Sequence, residues 1–137
     1  MFKGNVTIKK ENETHYRFVG YLSYKNDEIE VTVKGGFLTD GASTPRFLWR
    51  LYGSPFTGKY TASAVIHDAL YGSHLTTKEV ADDLFLEMME SEGVSYWKRK
   101  TMYWGVKWFG GSSWDKPREV LEENRKYVEV EYENCIG

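Results

Sequence analysis

The chain has 137 residues and a mass of 15.9 kDa, enough for one domain with a real core and too little for two. Apolar residues at 41% imply that it folds, and a net charge of −2 with a pI near 5.9 lacks the clustered basic field that neutralises many phosphates, so duplex nucleic acid is disfavoured as a partner. Aromatic residues reach 16%, with five Trp and ten Tyr, which predicts a ring-rich surface patch of the kind that grips a partner or a flat ligand beside the rings that fill the core.

The single cysteine, Cys135, cannot form an internal disulfide, so a reducing compartment is expected. The first residues run into an alternating strand with no secretory leader, and no apolar run approaches the ~20 residues that span a bilayer, so the expected location is cytoplasmic with no transmembrane segment. Asn5–Lys10 and Glu30–Lys34 alternate, and His15–Tyr24 is long and aromatic, which predicts three strands. The turn clusters at 11–14 and 25–28 make an antiparallel meander the economical arrangement. Gly35-Gly36 closes the third strand, and the polar loop Phe37-Leu-Thr-Asp-Gly-Ala-Ser-Thr-Pro45 leads into a helix over Arg46–Leu51 with Ser43 or Thr44 as its N-cap.

After a second loop at 52–58, an apolar helix over Tyr60–Tyr71 is expected to end at Gly72 as its C-cap. Thr76-Thr-Lys-Glu79 fits a capping box and predicts a helix over Glu79–Glu92, which Gly93 breaks. Val94–Phe109 predicts a third helix, whose rings at Tyr96, Trp97, Tyr103, Trp104 and Trp108 spread too widely for one narrow face, so it is expected to lie between two surfaces. A loop at 110–117, a helical turn at 118–124 and an alternating strand over Lys126–Tyr132 complete the chain. The fold class is α+β: an N-terminal antiparallel meander of about three strands, a three-helix middle and a C-terminal strand returning to the sheet. One domain spans 1–137, with strands at 1–36, a loop and short helix at 37–58, the helical core at 59–110 and a loop and final strand at 111–137.

The helix around residue 67 is the one place where an apolar helix carries adjacent ionisable groups, His67 and Asp68. One of its faces stacks Ser63, His67 and Tyr71. The core stripe of the next helix is Val80, Ala81, Leu84, Phe85 and Met88, and Asp82 lies nearer its edge than Asp83, so two antiparallel helices set His67 opposite Asp82. Such a pair is either a general base with its orienting carboxylate or a helix-to-helix hydrogen bond that fixes register, and the spacing leaves both open. Thr39, Asp40 and Ser43 are candidate binding residues with Tyr71, because the hydroxyls and glycine amide of the 39–44 loop cluster before a helix. Ser43 has no Gly-x-Ser-x-Gly elbow, which argues against a serine nucleophile. His-x-x-x-His, Cys-x-x-Cys and an acidic calcium loop are all missing, so zinc is disfavoured and a weak Ca²⁺ or Mg²⁺ site through Asp68 is the remaining metal reading.

Four blocks occur in order: Gly36-Phe-x-Thr-Asp-Gly-Ala-Ser-x-Pro-Arg46, Ala64-x-x-His-Asp-x-Leu-Tyr71, Ala81-Asp-x-Leu-Phe85, and Met102-Tyr-x-x-Val106 with Phe109-Gly110. Over about residues 34–114 the chain resembles a family of uncharacterised small proteins carried by tailed phages and prophages. That resemblance implies a host cell cytoplasm as its setting and brings no activity with it. Gly53-x-Pro55, Ala64-x-x-His-Asp-x-x-Tyr71 and Ala81-Asp-x-x-Phe85 are also similar to the paired helices of phospholipase A2 enzymes, especially the disulfide-free kind in virus capsid proteins. This likeness implies His67 as the base that activates water, Asp68 as a Ca²⁺ ligand and Asp82 as the residue orienting the histidine. The Gly-x-Gly calcium loop of that group is missing, since Tyr52-Gly-Ser-Pro holds one glycine. Two functions remain open: a small hydrolase of an ester or amide using His67 and Asp82, and a non-enzymatic binder that takes a small-molecule ligand such as a host signalling nucleotide, blocks a host defence protein or sits in the virion.

Overall fold

The computed structural model describes residues 1–13, 15–39, 41, 43–53 and 59–133, so Asp40, Pro55 and Cys135 lie outside the described residues. The elements in order are β1 (Phe2–Gly4), β2 (Thr7–Lys10), β3 (Tyr16–Val19), β4 (Tyr21–Lys25), β5 (Ile29–Lys34), β6 (Leu38–Thr39), α1 (Arg46–Tyr52), α2 (Thr61–Ser73), α3 (Lys78–Ser91), α4 (Tyr96–Phe109), α5 (Gly111–Trp114), α6 (Arg118–Arg125) and β7 (Val128–Tyr132). The α+β class stands: antiparallel strands open the chain, helices fill its middle, and the last strand joins the first sheet.

The expected strand over 15–24 is two strands in two sheets. Gly20, at φ 110°, sits where the backbone must turn through a conformation that L side chains rarely adopt, so β3 and β4 diverge. One sheet runs β1-β4-β5-β7, with Val31 opposite Val130 and Val33 opposite Val128, and the other runs β2-β3-β6. Leu22, Tyr24, Val31 and Val33 of the first sheet and Phe18 of the second join Val65, Ile66, Ala69 and Leu70 of α2 in the larger core cluster. Leu48, Tyr60, Ala64, Phe85, Met89, Met102 and Val106 form a second cluster where α1, α2, α3 and α4 meet.

Three local expectations change. Helix α2 continues past Gly72 to Ser73 and is capped by His74 in the left-handed region at φ 52°. The N-cap of α3 is Thr77, which accepts from the Val80 amide at 3.2 Å, because Thr76 is buried with its hydroxyl turned to the Thr77 carbonyl. Helix α4 buries Met102, Gly105 and Val106 and leaves its tryptophans outside, so it packs on one side and is not enclosed between two surfaces.

Candidate functional site

Helix α2 is buried along nearly its whole length, so a polar side chain on it must find a partner inside the protein. His67 is completely buried, with its ring stacked on Phe85 at a centroid distance of 4.3 Å and tilted against Tyr71 at 4.3 Å. Its Nε2 lies 2.8 Å from Asp82 Oδ1 across the α2–α3 contact, and its Nδ1 lies 3.1 Å from Ser43 Oγ. Asp82 and Ser43 are buried too, at 3% and 2% exposure. Asp82 also receives the Tyr71 hydroxyl on Oδ1 at 2.7 Å and the Lys78 ammonium on Oδ2 at 2.8 Å. Asp83, one position on, is exposed and accepts from the Tyr103 hydroxyl at 2.7 Å.

Burial pushes the Asp82 carboxyl pKa up, but hydrogen bonding and charge from His67, with the bonds from Lys78 and Tyr71, outweigh it and leave the group below its ordinary value of 3.8. The carboxylate is therefore ionised and accepts only, so His67 Nε2 carries the proton it shares with Asp82. When the ring carries only that proton, Nδ1 is a lone pair aimed at the Ser43 hydroxyl; the ring charge that helps hold Asp82 down belongs to the form with both nitrogens protonated. Burial, with the bond to Asp82 and its charge, pushes the Tyr71 phenol far up, so Tyr71 remains a donor.

Asp68 belongs to an adjoining network. Its carboxylate accepts the Thr39 hydroxyl on Oδ2 and the Ser43 amide on Oδ1, the latter at 3.4 Å, while the Thr39 oxygen accepts the Gly41 amide at 3.1 Å. Asp68 thus ties down the loop that carries Ser43. Among the described residues no group of three or more His, Cys, Asp and Glu side chains could hold a metal ion. A cavity of about 320 Å³ opens beside Asp68, lined also by Arg17, Phe37, Lys116, Glu123 and Asn124. A second, of about 440 Å³, opens over Lys78, Asp82, Asp83, Tyr103 and Lys107. Neither is lined by His67 or Ser43.

The structure thus brings His67, Asp82, Tyr71 and Ser43 into one network and links Asp68 and Thr39 to it through the Ser43 loop; Asp40 lies outside the described residues. Two further polar partners of α2 and its network are not evident from the sequence. Lys78 stands one helical turn before Asp82, an i,i+4 spacing that could have revealed it, and its ammonium also donates to the Val106 carbonyl at 3.0 Å. Glu92 accepts the Ser63 amide at 2.7 Å and the Ser63 hydroxyl, capping α2 from the end of α3. Burial lifts the Glu92 pKa, and the bonds from Ser63 and Ala62 only partly offset it. Ser43 is not the cap of α1: Pro45 holds that place without a side-chain bond, and the serine turns to His67. Next to it, the Thr44 hydroxyl is buried with no hydrogen-bond partner among the described residues.

The profile of a family described as "Protein of unknown function (DUF1353)" matches residues 16–106, which hold Thr39, Ser43, His67, Asp68, Tyr71, Lys78 and Asp82. The chain is similar to the uncharacterized protein y4jT of Sinorhizobium fredii (strain NBRC 101917 / NGR234), at 36% identity over 91 residues, 66% of this chain and 27% of that protein. It is similar to the uncharacterized protein y4iH of the same organism at 36% identity over 72 residues, 53% of this chain and 30% of that protein. The chain thus spans less than a third of the length of these curated relatives. No solved structure matches it significantly.

Proposed function

The chain belongs to the DUF1353 family, whose description assigns no activity, and from the geometry of its buried network we propose that it is a small hydrolase of an ester or amide with Ser43 as nucleophile, His67 as base and Asp82 as the orienting carboxylate. The observation that carries this reading is the two-sided engagement of His67: Nδ1 at 3.1 Å from Ser43 Oγ and Nε2 at 2.8 Å from Asp82 Oδ1. The expectation that His67 activates water, and the sequence argument against a serine nucleophile, both give way in this reading, because Ser43 occupies the direction in which the accepting nitrogen points. In the reaction, Nδ1 takes the Ser43 proton as Oγ bonds to the carbonyl carbon, and returns it to the leaving group as the bond between that group and the carbonyl carbon breaks. Water then repeats the exchange and releases the acyl group. Thr44, with a buried hydroxyl that bonds nothing among the described residues, is the idle donor nearest in sequence for the developing oxyanion.

The complete burial of His67 favours a second reading, in which the same bonds hold α2, α3 and the Ser43 loop together and the protein is a non-enzymatic binder. One experiment separates the two. The folded chain is incubated with a fluorophosphonate, and intact mass with peptide mapping locates any adduct. A hydrolase labels at Ser43, with labelling slowed at least about a hundredfold in His67→Gln. An unlabelled Ser43 in the folded wild-type chain overturns the hydrolase. The phage setting rests on the four sequence blocks alone, and the genes flanking this one test it.

A further inference from the structure

The solvent face of α4 is built from residues that ordinarily lie inside. Trp97, Lys100, Trp104, Lys107 and Trp108 stand zero, three, seven, ten and eleven positions along it, one continuous stripe of a helix. Trp97 is 79% exposed, Trp108 68% and Trp104 42%. The stripe continues onto α1, where Phe47 meets Phe109 edge to face at 5.5 Å and Leu51 is 65% exposed. Monomers seldom leave so many large rings together in water.

The charges on this face have one sign. Residues 46–52 and 96–109 hold Arg46, Arg50, Lys98, Arg99, Lys100 and Lys107 and no carboxylate, within a chain whose net charge is −2. Arg99 turns away, donating to the Val94 carbonyl at 3.0 Å. A second copy of the chain docking by the same face would set like charges against each other, so the occupant is anionic. It is also apolar enough to take up tryptophan. A single-stranded nucleic acid stacks its bases on open ring faces, but here cations already stand over the rings: Lys107 at 5.3 Å from the Trp104 centroid and 5.5 Å from that of Tyr103, and Lys100 at 5.6 Å from that of Tyr96. Rings at the level of the headgroups, with lysine ammonium groups beside them, are what a bilayer interface accommodates.

We propose that the α1–α4 face docks on an anionic lipid bilayer surface, lying flat in the interface with Trp97, Trp104 and Trp108 inserted and Arg50, Lys100 and Lys107 against the headgroups. Of these residues only Lys107 comes near the Ser43–His67–Asp82 network, lining the cavity over Asp82, and its side chain bonds none of the three, so the docking does not rest on the hydrolase reading.

The test is flotation of the full chain with vesicles of equal parts phosphatidylcholine and phosphatidylglycerol, against vesicles of phosphatidylcholine alone, with tryptophan emission read in parallel. The chain should float with the anionic vesicles and its emission should shift to the blue. Salt should release it. Lys100→Gln with Lys107→Gln should weaken the partition roughly 25-fold, about fivefold for each charge near the surface. Trp97→Ser with Trp108→Ser should cut the blue shift to what Trp104 alone gives and weaken the partition; both pairs lie on the outer face, and unchanged circular dichroism checks that the variants fold. No flotation, equal partition into both vesicle types, or partition indifferent to both double variants overturns the proposal. Tighter binding of an oligothymidylate than of the anionic vesicles overturns it as well, in favour of a single-stranded nucleic acid.

Discussion

Asp82 is a small carboxylate asked to satisfy three donors at once, and its ionisation is what orders them. Its lowered pKa gives the sign of a measurable effect: the unfolded chain binds the proton more readily, so the stability this group contributes is present above 3.8 and is lost as pH falls through the lower, folded value. Glu92, lifted by burial, acts with the opposite sign, contributing below 4.5 and losing that contribution as pH rises through its raised value. Urea midpoints measured against pH should therefore show the wild-type advantage over Asp82→Asn shrinking in acid, while Glu92→Gln removes a decline on the other side of the carboxylate range. An advantage over Asp82→Asn that stays constant down to about pH 2 would contradict the ionised, three-donor picture. The His67–Asp82 pairing was legible because both residues sit at the edges of apolar stripes on consecutive helices, where an unpaired polar group costs ~1–3 kcal/mol. Ser43 reads as a cap because serine before a helix usually is one, and its actual partner lies on α2, which no local pattern can disclose.

Element by element, two of the places where periodicity failed are places where a glycine serves contact or direction. Gly20 stands inside an unbroken aromatic run, and nothing in the alternation announces that the chain leaves one sheet for another there. Gly72 looks like a C-cap, yet α2 passes through it: a Cβ at that position would lie 2.7 Å from the Asn124 side-chain amide, which itself donates to the Gly72 carbonyl at 2.8 Å. The glycine is there so that α6 can lie against α2. In an ordinary helix interior Gly→Ala stabilises by ~1 kcal/mol. Gly72→Ala should instead turn the Asn124 amide off the Gly72 carbonyl, and that lost bond, at ~1 kcal/mol, should cancel the gain and leave Tm no higher than in the wild type. A Tm above that of the wild type would show that the contact does not hold α6. On α4 the breadth of the aromatic pattern was visible in the sequence, but breadth alone does not tell a helix covered on two sides from one whose outer rings meet solvent.

At the scale of the molecule, α2 is the element the others are built on: both core clusters include it, α3 delivers Asp82 to it and Glu92 to its first turn, and the strands of the first sheet pack beneath it. Among the described residues no helix is long and apolar enough to cross a membrane. The family match ends at residue 106, yet the segment beyond it is integral to the fold, because α6 touches α2 through Asn124 and β7 pairs along the length of β5. Removing the chain after Arg125 should leave β5 with an unpaired row of amides and carbonyls, and size-exclusion chromatography of the shortened chain should show multimers or loss to aggregation. A shortened chain that elutes as a monomer with native circular dichroism would contradict this. The same pairing has a temporal side. A ribosome makes β5 before the six described helices and β7 after them, so while those helices emerge the nascent sheet has a vacant place that any neighbouring strand can fill. Translation that stalls within α6 releases a molecule already primed to template its own aggregation, with its helices nearly complete and its sheet still open.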